Sequence, residues 1–258
     1  LPKKGKLARA MRYSIFAGGK RFRPRLCLAT ASALGGDPKK VIPIACAIEM
    51  LHAFTLIHDD LPAMDNSNYR RGKLTCHKKF DEATAILAGD ALNTLAFEVL
   101  AKETGNARIV SEIGEALMRV VVGQVMDMES EGKKIGLNKL MDIHRNKTAA
   151  LLCACVRSSG IHLGARPKQL KALTSYALHL GLAFQIADDI LDATSTRKKL
   201  GKPVRADVRK GFPYVVGLDR SKKLAAHGRD KAIKALDIFG RKAGPLREIA
   251  EYVLSRKR

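Results

Sequence analysis

The run PIACAIEMLHAFTLIHDD (43–60) constrains this chain more than any other segment. A proline opens it, two aspartates close it, and its small and apolar residues surround the helix axis instead of forming one stripe. A helix apolar on every side belongs in the middle of a bundle, with other helices packed around it. A second long apolar run, 168–193, also ends in acids, as DDILDATS. Pro24 opens PRLCLATASAL and Gly35-Gly36 terminates it, the expected punctuation of proline in the first turn and glycine just past the end. Further helices are expected over 82–103, 107–131, 137–162, 214–239 and 245–256, with the polar segment 62–80 and the charged segment 197–213 as loops. No strand-like alternation of useful length is present, and 258 residues suffice for one sizeable core. The reading is one all-α domain of long, closely packed helices.

The acids at the ends of the two buried runs carry the chemistry. Asp59, Asp60 and Asp65 follow the first; Asp188, Asp189 and Asp192 end the second. On a helix Asp188 and Asp192 lie one turn apart on one face, with Gln185 one turn before Asp188. Carboxylates crowded beside apolar residues need a counter-charge, or their pKa values rise. A hard divalent cation supplies that charge, and the absence of nearby Cys or His ligands favours Mg²⁺ over zinc. Either cluster alone reads equally well as an acidic helix end meeting a loop. Two of them, each following an apolar run, favour a clamp that holds metal between them.

Cations surround these acids. Gly18-Gly19-Lys20-Arg21 and Arg23 precede a proline-initiated helix, Arg70-Arg71 follow the first acids, Lys147-Thr148 sit within a helix, and Lys202 and Lys210 lie beyond the second acids. Mg²⁺ commonly shares its protein ligands with substrate phosphates, which arginine forks and lysine point charges also bind. In a chain of formal charge +22 most Lys and Arg are solvated surface. Lys147 is the least easily dismissed, because apolar residues follow it closely.

The same charge would draw in nucleic acid non-specifically, but the basic residues are spread along the chain and aromatics make up only 5%, so no specific nucleic-acid partner is expected. Five cysteines without CxxC spacing fit buried residues of a reducing compartment. There is no GxGxxG, Walker loop or zinc-ligand cluster. The most apolar stretch, TAALLCACV (148–156), is too short to span a bilayer.

Taken in order, AMRYSIFAGGKRFRP (10–24), LIHDDLPAMDN (56–66), RRG (70–72), LAGDAL (87–92), GQVMD (123–127), HRNKTAAL (144–151), FQIADDILD (184–192) and LGK (200–202) resemble the short-chain trans-isoprenyl diphosphate synthases of the polyprenyl synthase family. The resemblance implies a single-domain isoprenoid synthase bundle of long antiparallel helices around a deep central cavity, in a cytoplasmic homodimer. It also implies a first helix preceding Leu1. Organellar targeting stays open, because the chain starts at Leu1 and its N-terminus is read as incomplete.

By the same resemblance, Asp59, Asp60, Asp65, Asp188, Asp189 and Asp192 hold Mg²⁺, typically three ions with Mn²⁺ as a substitute, on an allylic diphosphate. Gly19, Lys20, Arg23, His52 and Arg71 match the binding residues for isopentenyl diphosphate. Arg70, Lys147 and Lys202 match contacts to the allylic diphosphate, and Thr148 and Gln185 line the reacting region. Lys147, Thr148, Gln185 and Lys202 thus form the catalytic set. No side chain is assigned as base, since the departing pyrophosphate takes the proton.

Three departures stand out. DNSNYRRG replaces the family's usual DNDDLRRG, so that Ser67, Asn68 and Tyr69 lower the local charge; Ala149 follows Lys147-Thr148 where glycine is usual; and DVRKGFP (207–213) is shorter than its counterpart, which leaves Lys210 without a role. Chain length in the family is set five residues before the first aspartate, here Phe54. An aromatic there, with the two-residue insertion within DDLPAMD, implies the fifteen-carbon farnesyl product. On an ideal helix Thr55 lies more nearly under Asp59, so either residue can form the pocket floor. A geranyl or geranylgeranyl synthase and a non-catalytic subunit of a heteromeric prenyltransferase are the alternatives.

Overall fold

The computed structural model describes residues 1–194 and 211–256. Helices α1 (Lys6–Ile15), α2 (Phe22–Leu34) and α3 (Ile42–Asp59) form its first part. A polar crossing holds a two-stranded hairpin, β1 (Tyr69–Arg70) and β2 (Lys73–Leu74), and the one-turn α4 (Cys76–Lys79). Then come α5 (Glu82–Thr104), α6 (Ala107–Glu129), α7 (Leu137–His144), α8 (Ala150–His162) and α9 (Pro167–Thr194). Beyond residue 210 lie α10 (Phe212–Val216), α11 (Leu218–Ala235), a 3₁₀ segment (Asp237–Ala243) and α12 (Gly244–Ser255). The fold is an all-α bundle of long helices, as the sequence predicts.

The apolar-all-round helix takes the place its pattern demands. α3 packs against α1, α2, α5 and α8. Ile44, Ile48 and Leu51 are fully buried on it, in a core that runs from Ala10 to Val253. Fully burying side chains of this size contributes about 1.5–3 kcal/mol each. By length and composition alone the segments Pro38–Asp59 and Glu82–Thr104 could cross a membrane. Here α3 and α5 pack on each other within the bundle. Asp81 starts α5 by accepting from the Thr84 amide at 2.7 Å, and Asn106 starts α6 by accepting from the Arg108 amide at 3.0 Å.

Two expected helices are broken. The span 137–162 carries a π turn, Arg145–Ala149, between α7 and α8. The extra residue in that turn swings Lys147 toward α6 and Thr148 toward α9. The span 214–239 is interrupted at Gly217, and its last part is the 3₁₀ segment. Most of the expected loop 197–213, with Lys202 and Lys210, lies outside the described residues.

Candidate active site

Asp59 ends α3, and the turn that follows folds back so that the Asp65 amide donates to the Asp59 carbonyl at 2.8 Å. Burial raises the Asp59 carboxyl to about 6; the charges of Asp65 and Asp60 add to that effect, while Lys147 and Arg70 oppose it. Its side chain has no hydrogen-bond or ion-pair partner among the described residues. Asp60 has the opposite fate. It is buried, and Arg70 grips it through Nε and Nη2 at 2.8–3.0 Å. Asp65 is exposed.

On α9, Asp188 Oδ1 pairs with Arg256 Nη2 at 2.8 Å, yet burial still raises its pKa. Asp189 accepts from the Phe212 amide at 3.0 Å and from Gln185 Nε2 at 3.1 Å, and burial pushes it to about 6 in spite of both. Asp192, one turn on, is exposed. His144 Nε2 lies 3.8 Å from Asp189 Oδ2, with its ring stacked on Phe212 at 5.5 Å between centroids. Burial lowers His144 to about 4, so it is neutral there and provides no counter-charge.

Lys147 connects the two carboxylate groups. It pairs with Asp127 at 2.7 Å and lies within the field of both Asp59 and His144. Next to it Thr148 Oγ1 donates to Gln185 Oε1 at 3.1 Å, and the Gln185 amide continues to Asp189. Hydrogen bonds therefore run from Thr148 through Gln185 to Asp189, while the charge of Lys147 acts on Asp59 at the end of α3.

The oxygen donors suit Mg²⁺. Asp59 is half-buried without a partner and Asp189 keeps a raised pKa; a divalent ion would relieve both. Among the described residues no three His, Cys, Asp or Glu groups converge on one point. Mg²⁺ ordinarily binds through one or two carboxylates together with substrate phosphates, and that donor count fits this arrangement.

A cationic pocket adjoins the first acids. His52 is pushed well below its usual pKa by burial, then by Arg23, Arg71, Arg70 and Arg21. Glu49 and Asp60 are the acids among them, Glu49 paired with Arg21 at 2.5 Å and Asp60 with Arg70. His52, Arg21, Arg70 and Arg71 line a cavity of about 40 Å³. Arg21 (φ 49°) and Arg71 (φ 53°) both hold left-handed backbone, a strain of order 1–3 kcal/mol for such residues and typical of functional sites. Arg71 and Gly72 form the hairpin turn, which carries the Arg71 guanidinium onto the Gly18 carbonyl. Gly19 packs against that guanidinium and holds a φ of 112°, backbone that favours glycine. The buried Arg23 has an unpartnered Nε, and Lys20 lies 5.4 Å from the Tyr252 ring centroid. Crowding of cations in this way favours an anion.

Phe54 is half-buried, edge-on to His58 at 4.9 Å and packed on the main core. Thr55, also half-buried, turns its hydroxyl back to the His52 carbonyl at 2.9 Å. Sequence reasoning missed Arg256, Asp127, His144 and the Arg21–Glu49 pair. GQVMD contains Asp127, but only the π turn brings Lys147 onto it. Arg256, in the final turn of the chain, carries no local signal that points to α9.

Residues 4–242 match the family model described as polyprenyl synthetase. The chain is 45% identical over 267 residues to farnesyl diphosphate synthase of Geobacillus stearothermophilus, covering 97% of this chain and 89% of that one. It is 43% identical over 259 residues to geranylgeranyl diphosphate synthase of Cyanophora paradoxa, covering 96% and 86%. Its structure is similar to that of the geranyltransferase from Helicobacter pylori complexed with magnesium and isoprenyl diphosphate, with a TM-score of 0.84 and 34% identity over 98% of this chain and 89% of that one.

Proposed function

Since this chain belongs to the polyprenyl synthetase family, we propose that it makes trans,trans-farnesyl diphosphate from isopentenyl diphosphate and the allylic dimethylallyl and geranyl diphosphates. It is a prenyltransferase, and it uses Mg²⁺. The observation that carries the reading is the hydrogen-bonded run from Thr148 through Gln185 to Asp189 of α9, next to Lys147, whose charge acts on the half-buried Asp59.

Bound by Asp59, Asp65, Asp188, Asp189 and Asp192 together with the allylic diphosphate, Mg²⁺, three ions by the resemblance, would neutralise charge on the leaving pyrophosphate. Lys147 adds a fixed cation to the same diphosphate. Arg70, steadied by Asp60 through Nε and Nη2, keeps Nη1 for a phosphate oxygen. Lys20, Arg23, His52 and Arg71 hold the second diphosphate. The allylic C–O bond breaks, the double bond of isopentenyl diphosphate attacks the cation, and the departing pyrophosphate takes the proton. The apolar faces of α3 and α5 keep water from the cation.

Product length separates this from the geranylgeranyl reading, which relatives at nearly equal identity favour. Phe54 supports the shorter product. A homodimer is supported by Met118, Val121, Val122 and Val125, exposed apolar residues on one side of α6. Their i, i+3, i+4, i+7 spacing forms a stripe that a second copy would cover. The proposed setting is the cytoplasm. Chromatography of the products formed from isopentenyl diphosphate with each allylic starter tests the reading: a fifteen-carbon main product supports it, and a ten- or twenty-carbon one overturns it.

A further inference from the structure

A large groove of about 960 Å³ runs along α9, bounded by α6, α8 and α11 and sharing no lining residue with the isopentenyl pocket. Nothing in the condensation uses it. Its lining combines two chemistries. Eight basic side chains line it and no acidic one does, although Arg145 and Arg157 are already paired with Asp142 and Glu112 outside the lining. Arg108, Lys171, His227 and Lys231 have no acidic side-chain partner among the described residues. His179 feels the convergence: burial lowers its pKa, and Lys231, His227 and Arg145 lower it further. Repelling cations held together by a fold stabilise a bound anion and are relieved by it.

Apolar residues line the groove as well. Met141, Leu182, Ile186, Phe212 and Leu224 line it, and all five belong to a small second core separate from the main one. His179 and Ile186 are seven residues apart on α9, about 10 Å along the axis. The groove thus offers cationic and apolar lining about 10 Å apart along α9, and its volume falls within the range of small-molecule sites.

We propose that this groove is a second ligand site, which takes a molecule with a multiply charged anionic head and an apolar chain. Two sources share that chemistry, an isoprenyl diphosphate and a lysophospholipid with a phosphate head.

The test is calorimetric titration of the whole chain with decyl phosphate below its micellar concentration, with Mg²⁺ chelated to silence the metal-dependent site. Saturable binding is expected, weakened at least about tenfold by Lys171→Glu with Lys231→Glu. Lys39→Glu with Lys40→Glu and, separately, Asp59→Ala should leave it unchanged. Shortening the chain to hexyl should weaken binding by about three- to fourfold per methylene. Turnover by the Lys171/Lys231 variant should stay normal. Equal weakening by the Lys39/Lys40 change, loss of binding in Asp59→Ala, or equal affinity for inorganic pyrophosphate would each overturn the proposal. Repeating the titration with farnesyl diphosphate and with lauroyl lysophosphatidate identifies the source as the tighter of the two, and binding of neither overturns the site.

Discussion

Arg256 Nη2 lies 2.8 Å from Asp188 Oδ1, and the guanidinium sits 3.9 Å from the centroid of the Phe184 ring. The same nitrogen donates to the Phe184 carbonyl at 2.8 Å. One side chain, only 5% exposed, thus fastens the end of α12 to the acidic end of α9. Breaking a fully buried pair costs roughly 3–5 kcal/mol. Because Asp188 is 37% exposed, the loss expected for Arg256→Ala is smaller, about 1–3 kcal/mol at neutral pH. Urea unfolding measures it. Mg²⁺ with a diphosphate should narrow the difference, since it supplies Asp188 with another counter-charge. An unchanged midpoint would mean that the pair contributes nothing.

Gly123 on α6 is the position against which the π turn packs. A Cβ there would lie 2.3 Å from the Lys147 amide nitrogen and 2.7 Å from its Cα, and backbone cannot yield as a flexible side chain does. Gly123→Ala should displace Lys147 from Asp127 and cost about 1–3 kcal/mol of stability. Turnover should fall by at least about tenfold, as expected when a positioned group moves by an ångström. Turnover and melting temperature both near wild type would refute this account of the π turn.

Phe54→Ala should shift the main product from fifteen carbons toward twenty. The ring is half-buried against His58 and the main core, so the substitution also removes packing; a cost of about 1–3 kcal/mol is expected, below the range for fully buried phenylalanine. Product chromatography decides the matter. An unchanged profile, with Thr55→Leu shortening the product instead, would make Thr55 the floor.

Asp59 and Asp189 both titrate at about 6, so a divalent ion must displace their protons at lower pH. Protons leave on binding, and apparent affinity therefore rises with pH. In the presence of an unreactive diphosphate, Mg²⁺ affinity should climb steeply below about pH 6 and flatten above about pH 7. The diphosphate titrates in the same range, so the diagnostic quantity is a difference in slope. Asp59→Asn should lower the slope by about one proton, and an identical slope in that variant would contradict the assignment.

Much of this was legible in the sequence because it depends on local pattern. The bundle follows from runs that are apolar on every side, and α3 sits where residues 43–60 require. The acids at the ends of α3 and α9 are visible as charges following those runs. What escaped depends on contacts between distant segments. The π turn at Arg145–Ala149 packs closely on Gly123 of α6, a contact that no pattern within 137–162 shows. The ion pair of Asp60 with Arg70 forms only because the hairpin folds one onto the other. His144, between Asp189 and Phe212, looked like any helical histidine.

The most direct test is condensation of isopentenyl diphosphate with geranyl diphosphate by Asp59→Ala, Asp189→Ala and the double variant, each shown to be folded by circular dichroism. Both single variants should lose at least about 10³-fold in turnover at saturating Mg²⁺, and the double variant little more, because groups that act as one unit are not additive. Near-normal turnover by Asp189→Ala would contradict the claim that the two acidic helix ends hold one metal–diphosphate cluster.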